Sequence, residues 1–274
     1  MIAITGAGGF IGRNLVEKLS KENELIKVDF LDGFLNPIEF LRLLKEDKID
    51  INIILHNGAC SDTTNTDVIY MHKVNTDYTI ELLKLCVEKN IKLIYASSAS
   101  VYGDGPFEES TNLKPKNLYA STKSIVDLYA DAYIRDGAKI IGLRYFNVYG
   151  KFEENKGNMA SVVYKFFNQK DAGEIKLFKN SDKFLRDFIY IDDVVNINLF
   201  FLNNEFNGIY NVGTSIERSF YDIAKIFVER YNINIKYIDM PKNLTGKYQK
   251  LLVKKLSAIL LISIILFMWF LIIL

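Results

Sequence analysis

The sequence predicts an α/β protein built on a doubly wound parallel sheet. Three observations carry this. Short apolar runs recur along the first 145 residues, helical stretches alternate with them, and the runs are apolar throughout rather than at every second position. A strand that is apolar on both sides is buried on both faces. That requires helices above and below a parallel sheet.

The elements follow in order. Residues 2–5 (IAIT) form an apolar strand that ends in Gly6-Ala7-Gly8-Gly9, and a helical stretch runs from about Gly12 to Ser20. Leu25 to Phe30 is a second strand with an acid, Asp29, near its end. This strand–turn–helix–strand unit is the smallest dinucleotide-binding element. Pro37 to Lys48 reads as a helix opened by proline, and Ile51 to Leu55 as a buried strand followed by the loop His56-Asn57-Gly58-Ala59-Cys60. Asn75 to Lys89 is an amphipathic helix, Lys92 to Tyr95 a strand with an extension, 119–135 a helix, and Ile140 to Leu143 a strand.

The composition fits one large domain, or a cofactor domain with a smaller lobe: 274 residues, 49% hydrophobic and 24% charged. A net charge of +1, spread along the chain, gives no footprint for a nucleic-acid partner. Cys60 and Cys86 lack metal-ligand spacing and read as reduced thiols of a cytoplasmic protein; His56 and His72 cannot build a zinc site, so no metal is expected. Met1 leads straight into a strand, with no signal-peptide pattern.

In Gly6-Ala7-Gly8-Gly9-Phe10-Ile11-Gly12, the first, fourth and seventh positions are glycine. Gly6 permits the tight turn, Gly9 the approach of a pyrophosphate, and Gly12 close helix–strand packing, while the helix N-terminus offers N–H donors. Asp29 would bind the adenosine ribose hydroxyls. An acid there favours NAD, although Arg13 and Lys27 are near enough in sequence to accommodate a 2′-phosphate. Tyr119 and Lys123 stand four apart and share one helix face. A phenol is a poor base near neutrality, with a pKa of about 10. A neighbouring ammonium is expected to lower that value, so the pair can exchange a proton with a substrate hydroxyl. Ser98 can donate to the same oxygen, and Lys123 can also reach a nicotinamide ribose.

These marks, with HNGA (56–59), YASSASVYGD (95–104), YASTK (119–123), LRYFNVYG (143–150), RDFIYIDDV (186–194) and GIYNVGT (208–214), resemble the extended short-chain dehydrogenase/reductase family. The resemblance covers residues 1 to about 250. It implies a Rossmann-like doubly wound parallel sheet with a smaller C-terminal substrate lobe: residues 1–145 with part of 187–216 in the first, and mainly 146–250 in the second. A narrower similarity, to the branch that epimerises ADP-heptose at carbon 6 in lipopolysaccharide core supply, lies in HNGACSDTT (56–64), NVYGKFEENKGNMASV (147–162), KLFKNSDKFLRDFIY (176–190) and GKYQK (246–250). It implies bound NADP, with NAD as the alternative, an ADP-heptose substrate and a homo-oligomer.

The same resemblance assigns residues. Tyr119 and Lys156 would be acid/base groups on opposite faces of the sugar, assisted by Ser98 and Lys123. The cofactor set is Gly6, Gly9, Phe10, Ile11, Gly12, Asp29, Phe30, Asn57, Gly58, Ala59, Cys60, Ser61, Asn75, Lys123, Val148 and Lys156. The substrate set is Ser98, Asn147, Asn158, Lys165, Phe178, Lys179, Asn180, Ser181, Arg186 and Tyr248. Asn158 stands where some members have serine, and Lys165 where some have histidine.

Two departures matter. Only 21 residues separate Asp29 from Ile51, where relatives fit a further strand and a longer basic loop, so a weaker adenine side is expected. The similarity also stops after Lys250, and Leu256–Leu274 is an uncharged apolar run of nineteen residues. It reads as out-of-frame translation, with a tail anchor that would touch membrane and a buried helix as the competing readings. Another sugar-nucleotide 4-epimerase or dehydratase, and an inactive relic, are the competing functions. Ala99 and Ser100 after Ser98 argue against a dehydratase, which places acids there.

Overall fold

The computed structural model describes residues 1–110 and 112–241. Tyr248 and the apolar run therefore lie outside the described residues. Among those described, no helix is long and apolar enough to cross a membrane.

The main sheet is six-stranded and parallel, in the order β2–β1–β3–β4–β5–β9. Its strands are β1 (Ile2–Thr5), β2 (Leu25–Val28), β3 (Ile53–His56), β4 (Lys92–Ser98), β5 (Ile140–Tyr145) and β9 (Gly208–Val212). One face is covered by α1 (Phe10–Leu19) and α7 (Ile191–Asn203), through Leu15, Leu19, Val194, Ile197 and Phe201. The other is covered by α2 (Pro37–Lys45), α4 (Tyr78–Glu88) and α5 (Leu118–Arg135), through Phe40, Leu44, Leu82, Leu83 and Val126. This two-sided burial is what the uninterrupted apolar runs predict.

Local chemistry fixes where the helices begin. Asn36 accepts from the Ile38 N–H at 2.9 Å, ahead of Pro37 at the first turn of α2. Asn117 caps α5 by accepting from the Ala120 N–H at 2.8 Å. The helical run before β4 starts earlier than expected. A short α3 (Val68–Met71) leads through a π turn, His72–Asp77, into α4. The periodicity of 75–89 could not show this start, because Val68, Ile69 and Tyr70 are exposed. Between β2 and β3 there is α2 and a single parallel bridge, Val28 to Leu35, with no further strand.

A smaller layer follows β5. It holds a three-stranded sheet, β10 (Glu217–Ser219)–β8 (Leu185–Tyr190)–β6 (Asn147–Tyr149), and a parallel pair, β11 (Asn234–Ile238)–β7 (Glu174–Phe178). The helices α6 (Val162–Gln169) and α8 (Phe220–Tyr231) pack on these strands around Val163, Phe166, Ile175, Leu177 and Phe227. A Ser219–Asp222 capping box starts α8. The chain then has its C-terminal strand ends, α1 and the smaller layer facing one space.

Candidate active site

That space is a cavity of about 1220 Å³. The glycine loop forms its floor. Gly6 has φ +66°, and a Cβ there would lie 2.6 Å from the Gly58 nitrogen; a Cβ on Gly12 would lie 1.9 Å from the Gly6 carbonyl oxygen. Both positions therefore require glycine, which is what brings α1 against the strands. Gly9 precedes α1 with no side chain capping the helix. The first-turn N–H groups and the positive helix end therefore face the cavity, the arrangement that suits a pyrophosphate.

Of the predicted cofactor residues, Gly6, Gly9, Phe10, Ile11, Gly12, Asn57, Ala59, Cys60, Ser61, Lys123, Val148 and Lys156 line the cavity. Gly58 does not, and lies behind Gly6. Asn75 is fully buried and also off the lining. Its carboxamide accepts from the Cys60 N–H at 2.8 Å and donates to the Cys60 carbonyl at 3.0 Å, so it shapes the loop from behind. The π turn is what turns Asn75 inward, and sequence periodicity does not reveal such a turn. Asp29 accepts from the Gly8 N–H at 2.9 Å, at the rim of the loop. Phe30 is 62% exposed and stands off the lining, beside Asp29 at the end of β2. Arg13, expected as a partner for a 2′-phosphate, is instead paired with Glu154 at 2.9 Å and lies over the Phe152 ring at 4.3 Å.

Two buried acceptors, Asn57 Oδ1 and Ser97 Oγ, have no hydrogen-bond partner among the described residues, and both residues line the cavity at the ends of β3 and β4. Buried polar atoms are normally satisfied. Together with the uncapped helix end, these two orphans fit a polar dinucleotide bound across the strand ends.

One wall is made by the end of β4 and the start of α5. The Tyr119 hydroxyl lies beside Ser98. The Ser98 hydroxyl accepts from Ser100 Oγ at 2.9 Å. The Lys123 ammonium donates to the Ala96 carbonyl at 2.8 Å. The expected lowering of the Tyr119 phenol is not what the protein shows. Burial pushes it up to about 12, and the neighbouring Ser98 hydroxyl only partly offsets this. Lys123 is the group that moves down, to about 8, because burial disfavours its charge while Asp127 opposes the shift. Asp127 belongs to a buried network that sequence reasoning missed. It accepts from Arg144 Nε at 2.8 Å and from the Tyr95 hydroxyl at 2.9 Å, and Arg144 donates to the Tyr102 hydroxyl at 2.7 Å. His56 is structural: it lies between Thr5 Oγ1 (2.6 Å) and Thr79 Oγ1 (2.9 Å), and burial takes it down to about 3.

A second wall is the 151–161 segment. Lys156 lines the cavity, with its nitrogen 4.7 Å from the Phe10 ring centroid. Burial lowers its pKa, nearby Lys165 lowers it further, and Glu153 opposes both. Lys165 donates to the Asn158 carbonyl at 2.8 Å. At the far end the cavity is lined by Asn147, Asn158, Lys165, Phe178 and Arg186 of the expected substrate set, and also by Lys176, Phe188, Phe220 and Ile238, which lie outside that set. Lys179, Asn180 and Ser181 fall outside it. Lys179 pairs with Asp239 at 2.8 Å, Asn180 takes the left-handed turn conformation, and the Ser181 hydroxyl donates to the Phe178 carbonyl. The pattern that marked 176–190 could not separate the strand from the turn that follows it.

Known proteins resemble this chain closely. A model of the NAD dependent epimerase/dehydratase family matches residues 2–213. The ADP-L-glycero-D-manno-heptose-6-epimerase of Brachyspira hyodysenteriae is 45% identical over 280 residues, covering 91% of this chain and 87% of that one. The crystal structure of the Helicobacter pylori ADP-L-glycero-D-manno-heptose-6-epimerase superposes with a TM-score of 0.82 at 30% identity, covering 96% of this chain and 89% of that one. A UDP-N-acetylglucosamine 4-epimerase from Methanobrevibacter ruminantium M1 gives the same TM-score of 0.82 at 26% identity, covering 93% and 89%.

Proposed function

The chain belongs to the NAD dependent epimerase/dehydratase family, and from that premise we propose that it inverts carbon 6 of the heptose in ADP-D-glycero-D-manno-heptose, supplying the L-glycero form for lipopolysaccharide. The observation that carries this reading is one cavity with a candidate proton carrier on each of two walls, Tyr119 and Lys156. Inversion through oxidation and re-reduction needs an acid/base on both faces of the carbon. The names of the Brachyspira and Helicobacter relatives point to the same substrate.

A nicotinamide dinucleotide would supply a hydride acceptor and donor and, in its oxidised form, a positive charge that favours the phenolate of Tyr119. The uncapped start of α1 and the Asn57 and Ser97 acceptors would hold it. As its phenolate, Tyr119 takes the proton of the C6 hydroxyl, with Ser98 donating to the same oxygen and Lys123 supporting Tyr119 and Ser98 from the strand end. After the ketone turns over, Lys156 returns a proton from the other wall. Arg186, Lys165 and Lys176 suit the diphosphate, arginine through bidentate contact. NADP is the proposed cofactor through the resemblance. Asp29 and the pairing of Arg13 with Glu154 support NAD as the alternative.

The proposed division is 1–145, with part of 187–216, for the cofactor and 146–250 for the sugar nucleotide, in a cytoplasmic homo-oligomer. The exposed Val68, Ile69 and Tyr70 of α3, beside Leu128 and Tyr129 of α5, offer an apolar contact surface. Incubation with ADP-D-glycero-D-manno-heptose, followed by NMR of the C6 proton, tests the function: the L-glycero signal supports it, and unchanged substrate with bound cofactor rejects it. A second reading, a chain that holds its cofactor poorly, is favoured by the lack of a strand between β2 and β3. Stoichiometric NADP in the purified protein would refute that second reading.

A further inference from the structure

Glu153 is fully buried although it opens the short 3₁₀ segment Glu153–Met159 beside the cavity. A carboxylate at such a position can usually turn to solvent, and burying its charge is costly unless it is paired and hydrogen-bonded. Its oxygens accept from the Gly150 N–H at 2.9 Å, the Ser161 hydroxyl at 2.8 Å and the Ser161 N–H at 2.6 Å. These bonds close the 150–161 segment on itself. They also secure Ser161, whose hydroxyl caps α6 at the Tyr164 N–H. The remaining face of the carboxylate meets the Lys156 nitrogen at 3.8 Å.

That distance is an ion pair rather than a hydrogen bond. It leaves the ammonium protons free to serve a substrate while the negative charge stays behind them. The Phe10 ring of the glycine loop bounds the other side of Lys156. Further charged and titratable groups face the same region. Lys165 comes from α6, Tyr119 and Lys123 come from α5 across the cavity, and Arg13 of α1 is held by Glu154.

We propose that Glu153 is a positioning residue: its buried carboxylate fixes the 150–161 segment and keeps the Lys156 amine protonated at the cavity wall. The use of that proton, delivery to the C6 oxygen, rests on the epimerase reading; the pairing itself does not. Burial and Lys165 both push Lys156 toward its neutral form, and Glu153 is the group that opposes them.

Competitive acetylation of the full-length protein with acetic anhydride, at a series of alkaline pH values and read at the Lys156 peptide by mass spectrometry, follows this amine without turnover. Glu153→Gln is expected to move the Lys156 midpoint down by about one pH unit. The alkaline limb of kcat should move down with it, because the protonated form is lost at lower pH. On that limb kcat should fall about tenfold while KM changes less than about threefold. An unmoved midpoint overturns the proposal. If Glu153→Gln does not fold, Lys156→Met reads the pair from the other side. It leaves the buried carboxylate without its cation, so its urea midpoint at neutral pH should fall below that of the wild type. An unchanged urea midpoint overturns the proposal. A wild-type chain that leaves ADP-D-glycero-D-manno-heptose unchanged sinks the epimerase reading, and the acetylation result stands regardless.

Discussion

The two walls of the cavity place their proton carriers by different means. Ser98, Tyr119 and Lys123 stand on the end of β4 and the first turns of α5, an 18-residue helix with a side-chain cap. Their spacing in sequence is their spacing in space. Lys156 stands in a short 3₁₀ segment broken at Gly157, where φ is +51°. Its position depends on residues far away in sequence: Glu17, Arg13 and Asn14 of α1 hold Lys151, Glu154 and the backbone of 151. One wall is rigid through its own secondary structure, and the other through contacts with the cofactor helix. Loading the cofactor site should therefore order the Lys156 wall more than the Tyr119 wall.

The largest expected effect separates the walls chemically. Tyr119→Phe removes the hydroxyl and keeps the ring, and Lys156→Met removes the amine. Each should lower kcat about 10²- to 10⁴-fold, the usual contribution of a general acid or base. Cofactor content should be unchanged in Tyr119→Phe. If either variant keeps more than a tenth of wild-type turnover, inversion does not need a carrier on that wall. Stopped assays with deuterated cofactor sharpen the comparison, since a chain lacking only the second carrier can still oxidise substrate.

Next in size is the buried ion pair beneath the rigid wall. Arg144→Met leaves Asp127 buried without its cation and should destabilise the protein by about 3–5 kcal/mol. Urea denaturation measures it. A loss below about 1 kcal/mol would mean that this network does not support the wall.

Lys123 gives a pH-dependent test. Its folded value of about 8 lies below the ordinary 10.5. The folded state therefore binds fewer protons than the unfolded chain between those values, and stability from this group rises with pH through that window. At neutral pH the buried charge costs about 3 kcal/mol. Lys123→Met should accordingly be more stable than wild type near neutrality, by about 1–3 kcal/mol after the lost bond to the Ala96 carbonyl is discounted. That advantage should vanish above about pH 10. Turnover should fall in the same variant. A variant less stable than wild type at neutral pH would show that Lys123 holds the strand end more than it strains it.

The same contrast explains what was legible in the sequence. Continuous apolar runs foretold the sheet, and GAGGFIG with Tyr119 and Lys123 foretold the floor and one wall, because local spacing sets those positions. Lys156 was legible only through resemblance. Glu153, Asp127 and Arg144 were not, since a buried charge in a loop or helix looks like a solvated one until its partners are known. Asn75, Phe30 and Lys179 lie off the cavity lining, since contact with it depends on a π turn, a strand end and a loop turn that composition does not specify.

The smallest expected effect tests the strap between the walls. Glu154→Gln removes the partner of Arg13, and both side chains are partly exposed, at 48% and 35%. Such a pair contributes at most about 1 kcal/mol, and added salt screens it. Global stability should therefore change little. The consequence lies in the freed guanidinium, which stands one residue after Gly12 and would be available to an adenosine 2′-phosphate. Glu154→Gln should raise the affinity for NADP relative to NAD by a few-fold, about 0.5–1 kcal/mol, as read by tryptophan-independent calorimetry at low salt. A ratio that does not move would place the 2′-hydroxyl beyond the reach of Arg13 and leave Asp29 as the only described group at the ribose. The strap would then serve the Lys156 wall alone.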